Sequence, residues 1–166
     1  MQYDPKLNSR IGQAVRCNRS PIISEQTHGG ADLSDLGTAP LSNINGPSVI
    51  RVPEWVTDPL GKYYLYFAHH KGTSIRLAYA DQTMGPWFIN PMPVLTVEQS
   101  LFVTNDLDPN SRNDWVNEPD YLYAHIASPD VLVDQHAKQI LMFFHGLLPD
   151  GDQQTRLALS KNGRSF

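Results

Sequence analysis

From residue 43 onward, apolar residues come in short runs broken by Gly, Pro, Asn and Asp. The stretch YYLYFAHHKGTSIRLAYADQTMGPW (63–87) reads as a strand, a turn, a second strand and a Gly-Pro-Trp break. ILMFFHGLLPDGDQQTRLALSKNGRSF (140–166) has the same order: apolar strand, histidine, glycine turn and a strand containing RLA. No window of about 11 residues gives clean i, i+3, i+4, i+7 apolar spacing with caps, so helices are not expected.

The two stretches belong to a longer repeat. GPSVIRVP (46–53) matches SPDVLVDQ (128–135), YLYFAHH (64–70) matches ILMFFHG (140–146), and IRLAYADQ (75–82) matches TRLALSKN (155–162). The offset drifts from 82 to 76 to 80, which places His69 on His145 and Arg76 on Arg156. The drift falls in EWVTDPLGK and LLPDGDQQ, turn-rich segments where length changes cost little. Each unit has three strands, and PWFI (86–89) adds a fourth to the first. Repeated antiparallel units of this length predict an all-β fold of the five-bladed β-propeller type, with about the first two blades present. Val49, Ile50, Val131 and Leu132 mark the first strands as inner strands buried near the axis. The second strands, apolar on both faces, suit a sheet packed between neighbours.

The expected organisation has four parts. Residues 1–42 form an N-terminal arm and loop, in which 20–25 (SPIISE) could supply a ring-closing strand; 43–96 form blade 1. Residues 97–124 are a polar insertion, and 125–166 an incomplete blade 2. A long loop in a compact domain is either functional or poorly ordered. Its Trp115, Tyr121 and Tyr123 read as sugar-stacking platforms or as loop anchors. Fewer than two complete blades cannot close a ring. The expectation is therefore an N-terminal fragment of a longer protein that self-associates through open blade edges. A small complete β-sandwich with similar halves is the alternative.

Composition narrows the function. The 166 residues carry 13 Lys+Arg against 17 Asp+Glu, a net charge of -4, with no clustered basic stretch. That argues against a nucleic-acid or membrane-surface partner. The single cysteine, Cys17, allows no intrachain disulfide and lies in a polar stretch, RCNRS, where it reads as an incidental thiol. No apolar run approaches the ~20 residues of a membrane span. MQYDPKLNSR lacks the apolar core of a signal peptide, so a cytoplasmic location is the default expectation.

The ordered set GPSVIRVP…GKYYLYFAHHKGTSIRLAYADQTMGPW resembles the first blade of the five-bladed β-propeller glycosidases, glycoside hydrolase family 43 and its relatives. HIASPDVLVD (125–134) is similar to the start of their second blade. The resemblance covers residues 43–166, and it implies a carbohydrate partner and cleavage of a glycosidic bond. In that chemistry one carboxyl protonates the leaving oxygen while a second activates water or attacks carbon. The family's first blade places Asp before Pro, where this chain has Gly46 before Pro47; its nearest polar groups are Asn45 and Ser48. In the second blade Ser128 precedes Pro129, and Asp130 follows. The resemblance puts the general-acid Glu in a later blade. A propeller that binds sugar without cutting it, or a purely structural one, is the alternative.

The candidate catalytic residues are Asp130, at the head of an inner strand, and His125, just before it. Asp130 reads equally as a turn-capping residue after proline. Asn45, His69, His70, His145 and Trp115 are candidate sugar-binding residues. Imidazoles near an axis donate to hydroxyls, transfer protons or ligate metal, but a strand-end histidine also serves in structural hydrogen bonds. His125 is unrepeated, with Asn43 in its place in the first unit, which ranks it higher as a site residue. Arg76 and Arg156 read as architectural. Asp81 and Lys71 read as turn residues. No cofactor and no strong metal site is expected, an axial Ca2+ or similar ion being left open.

Overall fold

The computed structural model describes residues 20–24, 43–108 and 122–166, and among them it is all-β with no helix. Two antiparallel sheets follow one another along the chain. Sheet A contains β1 (Ile44–Arg51), β2 (Tyr63–His69), β3 (Ser74–Ala80), β4 (Phe88–Ile89) and β5 (Leu95–Thr96), in the order β1-β2-β3-β4, with β5 also on β3. Sheet B contains β6 (Ile126–Asp134), β7 (Gln139–Leu147) and β8 (Gln153–Ser160), in that order. These are the two units expected from the repeat: three strands in each, with a short fourth strand where PWFI was read. The Gly85–Pro86 peptide is cis.

The sheets pack face to face. From sheet A, Ile50, Tyr64, Tyr66, Ala68, Ile75 and Leu77 meet Ile126, Val131, Ile140, Met142 and Phe144 of sheet B. The Tyr66 hydroxyl is buried and donates to the Gly163 carbonyl at 2.9 Å. Burial, followed by nearby Tyr64, raises that phenol well above its ordinary pKa, so it stays neutral. The other face of sheet A buries Leu65, Phe67, Ala78, Ala80, Trp87 and Ile89, with Ile23 packed against them. Residues 20–24 run as bends without strand pairing, so Ile23 contributes an apolar contact rather than a rung of sheet.

The inner strands are not buried throughout. Ile50 and Val131 lie between the sheets at 7% and 3% exposure, whereas Val49 and Leu132 point the other way at 56% and 52%. Strand alternation is the cause, since each strand meets a neighbouring sheet on one face only. β2, as expected, is buried along both faces.

Pairing corrects one part of the repeat. Both inner strands carry a bulge, between Asn45 and Ser48 in β1 and between Ala127 and Asp130 in β6. Asn45 pairs with Ala68 and Ser48 with Tyr66, while Ala127 pairs with His145 and Asp130 with Phe143. Ala68 therefore corresponds to His145 and Tyr66 to Phe143, an offset of 77 rather than 76. His69 corresponds to Gly146, not to His145. A one-residue slip reverses the face of every side chain. The third strands keep the offset of 80: Arg76 lies opposite Phe67, and Arg156 opposite Phe144.

Both arginines are architectural, as read. Buried Arg76 donates to the Asn90 and Pro91 carbonyls at 3.4 and 2.9 Å, bridging the gap between β4 and β5. Arg156 donates to the Ser100 carbonyl at 3.0 Å and lies 4.2 Å over the Phe102 ring. Val97 and Phe102 belong to the core, so the start of the segment read as an insertion is a structural link between the sheets.

Candidate functional site

The bulges set the site. Gly46 has φ +53° and Ser128 φ +52°, each directly before a proline. The two bulges touch: a Cβ on Gly46 would run into the backbone of Ser128. The close approach requires Gly46, and its left-handed backbone, which Ser128 shares, also favours glycine. The Gly46 position has no room for a side chain here.

Around this neck the strand ends of both sheets bring four of the candidate residues together, Asn45, His70, His125 and His145, while His69 alternates to the face of β2 that carries Leu65 and Phe67. Asn45 Nδ2 lies 3.2 Å from His70 Nδ1, and Asn45 Oδ1 lies 3.4 Å from the Ser128 amide. The His69–Thr73 turn is tied to sheet B by the Ile126 amide, which donates to the Gly72 carbonyl at 3.1 Å. The Lys71 amide donates to His69 Nδ1 at 3.3 Å, which fixes that nitrogen as an acceptor. Lys71 Nζ sits 4.7 Å from the centre of the Tyr123 ring, so this turn residue joins the site although it was read as plain solvated turn. His125 is buried, and its Nδ1 lies 2.7 Å from the Tyr123 carbonyl. A carbonyl only accepts, so Nδ1 carries a proton. The His125 and His145 rings meet edge to face at 5.8 Å.

His145 and His69 resist protonation. Burial lowers the pKa of His145, and His125 and His70 lower it further. Burial lowers that of His69, with His70 and Lys71 adding to the effect. Neutral imidazoles donate and accept at once, which suits hydroxyl groups.

Asp130 is placed differently. It is exposed on β6, on the face of sheet B turned away from sheet A, and shares that face with Phe143 and His145. It corresponds to Ser48, whose hydroxyl oxygen accepts the Val131 amide at 2.9 Å and so pins sheet A to sheet B. Trp115 and Tyr121 lie outside the described residues. Among the described residues, no group of three or more His, Cys, Asp or Glu could hold a metal ion, and no helix is long and apolar enough to cross a membrane.

A second concave region, which the sequence did not announce, lies at the opposite end of the inner strands. Arg51, Val52, Pro53, Glu54 and Trp55 from sheet A face Gln135 and Lys138 from sheet B across a groove of about 510 Å³. In the sequence these residues sit at the end of GPSVIRVP and in the turn segments EWVTDPLGK and DQHAKQ, and only the packing of the two sheets makes them neighbours.

No family model matches the chain. It is 34% identical over 133 residues to an uncharacterized protein of Acanthamoeba polyphaga mimivirus, a match over 75% of this chain and 35% of that protein. Solved structures similar to it include a thermostable family-43 glycoside hydrolase, with 19% identity, TM-score 0.41, and coverage of 70% of this chain and 31% of that one. An N-acetylgalactosamine deacetylase from F. plautii aligns with 12% identity and TM-score 0.47, over 81% of this chain and 31% of that one. An alpha-L-arabinofuranosidase from Clostridium thermocellum aligns with 20% identity and TM-score 0.35, over 68% and 34%. The chain thus spans about a third of the length of each protein it matches.

Proposed function

We propose that this chain contributes the first two sheets of a five-bladed, glycoside-hydrolase-like propeller, and that its histidine-lined mouth binds an oligo- or polysaccharide. The observation that carries this reading is the convergence of Asn45, His70, His125 and His145, from both sheets, around the neck formed by Gly46 and Ser128. An amide and neutral imidazoles match the paired donors and acceptors of sugar hydroxyls. The resemblance of residues 43–166 to propeller glycosidases supports the same reading.

Within it, His125 and Asp130 are the proposed proton-transfer groups. His125 Nε2 takes a proton from water as the water oxygen bonds to the anomeric carbon. The bond from that carbon to the leaving oxygen breaks, and an acid elsewhere in the assembled ring protonates the departing oxygen. Gly46 favours a second reading, sugar binding without turnover, because it removes the carboxylate that the related glycosidases place there.

One experiment separates the two. The full-length protein that completes the ring and its Asp130→Asn and His125→Ala variants are incubated with a panel of plant and microbial oligosaccharides, with binding and released reducing ends both measured. Turnover that collapses in both variants while binding persists supports the hydrolase. Binding without turnover in the unmodified protein supports the lectin-like reading. Absence of binding to every saccharide overturns both.

A further inference from the structure

We propose that the groove between Trp55 and Lys138 is a second binding site, for a short acidic saccharide, at the opposite end of the sheets from the histidine mouth. Gly46 and Arg51 are five residues apart on β1, so the two sites are separated by roughly 17 Å of strand. The groove stands independently of whatever the histidines bind.

Three observations converge on this ligand. The first is construction. The walls come from different sheets, and the Trp55 indole N–H donates to Gln135 Oε1 at 3.1 Å across the gap. That bond occupies the polar edge of the indole and leaves its carbon surface as what the ring offers a ligand. Trp55 also packs against the main core, which fixes its position. A flat aromatic surface at the side of a cleft matches the apolar C–H face of a pyranose ring.

The second is rigidity. Asp134 Oδ1 accepts the His136 and Ala137 amides, both at 2.9 Å, and so closes the β6–β7 turn. Lys161 Nζ donates to the Ala137 and Lys138 carbonyls at 3.3 Å and holds the same turn from below. On the other wall, the Val56 amide donates to the Pro53 carbonyl at 3.0 Å and the Val52 amide to the Lys62 carbonyl at 2.9 Å. A preformed cleft binds without first ordering its loops. Its volume, about 510 Å³, falls in the range of small-molecule sites and suits two sugar rings.

The third is charge. The chain as a whole is acidic, with net charge -4, yet Arg51 and Lys138 face each other here across a single lining carboxylate, Glu54. In the turn behind, the Asp134 carboxylate and the Lys161 cation offset each other, so the lining itself keeps an excess of one positive charge. A local positive excess on an acidic protein selects an anionic ligand. Arg51 offers the planar fork that receives a carboxylate, Lys138 a point charge, and Glu54 an acceptor for a hydroxyl.

The test uses the indole N–H signals of the three tryptophans in a two-dimensional nitrogen–proton NMR spectrum. Trp55→Phe assigns the Trp55 signal. Digalacturonic acid is titrated into the whole chain, with the neutral disaccharide galactobiose as control. The expected result is a saturable shift of the Trp55 signal with the acid, and binding at least tenfold weaker for the neutral sugar. Arg51→Gln and Lys138→Gln should each weaken acid binding severalfold, and His125→Ala should leave it unchanged. Both altered cations are exposed, and the remaining spectrum reports whether each variant stays folded. No saturable shift, equal binding of the neutral sugar, unchanged binding in the double cation variant, or loss on His125→Ala would each overturn the proposal.

Discussion

Gly46 and Ser128 are in backbone contact, so neither inner strand can change at this point without moving the other. Gly46→Asp, which would place a carboxylate at this bulge, should therefore unfold the neck. The left-handed backbone alone costs on the order of 1–3 kcal/mol for a non-glycine residue, and the collision adds to it. Urea denaturation should show Gly46→Ala and Gly46→Asp both strongly destabilised. A Gly46→Asp protein as stable as the parent would refute this view of the neck.

Ser48 and Asp130 occupy equivalent positions and should respond differently to substitution. Ser48→Ala removes the acceptor for the Val131 amide at the sheet interface and should cost about 1 kcal/mol. Asp130→Asn, at an exposed site, should change stability by no more than about 0.5 kcal/mol. Thermal unfolding of the two variants under identical conditions checks the difference.

Acidification should weaken the fold through the histidine mouth. His69 and His145 have pKa values below the ordinary 6.5 in the folded state, so the unfolded chain binds protons more readily. Their contribution is complete above pH 6.5 and is lost as pH falls through 6.5 toward the lowered folded values. Groups around them include His70, His125, Lys71 and Asp130, so the slope belongs to the cluster. His145→Gln should flatten the decline in urea midpoint between pH 7.5 and 5.5. An unchanged slope in that variant would show that His145 is not coupled to folding.

The outer face of sheet B should make the isolated chain self-associate. Leu132, Phe143, Leu157 and Leu159 are 36–52% exposed there. The corresponding residues of sheet A, Ile50, Tyr66, Leu77 and Tyr79, belong to the face that sheet B covers. Sedimentation velocity should show mass rising with concentration, and Leu157→Lys with Leu159→Lys should reduce it. A monomer at all concentrations would count against the prediction.

The all-β class and the two units were legible because strand runs and turn residues alternate along 43–166, and the first strands align through the proline that follows each bulge. The phase of the second strand was not legible. β2 is apolar on both faces, so no polar alternation marks which residue faces which sheet. The letters AHH and FHG invite His69 onto His145, while the pairing registers of β2 and β7 with their inner strands put Ala68 there instead. Asp130 was visible as a carboxylate after proline, but its outward direction depends on the bulge in β6. The histidine mouth was legible as a set of residues and illegible as a contact, because its pairs are distant in sequence and meet only through the packing of the two sheets. Trp55 and Gln135 gave no sign, being 80 residues apart in unremarkable turns.

The hydrogen bond from the Val131 amide to Ser48 gives the repeat a direction. The earlier sheet offers a side-chain oxygen from its inner strand, and the later sheet answers with backbone. Sheet B then offers Asp130 at the same place on its own outer face. The two halves are therefore not interchangeable bricks. Exchanging their order would set a charged carboxylate inside the joint and turn the serine outward, so the duplication has become a sequence of unlike steps.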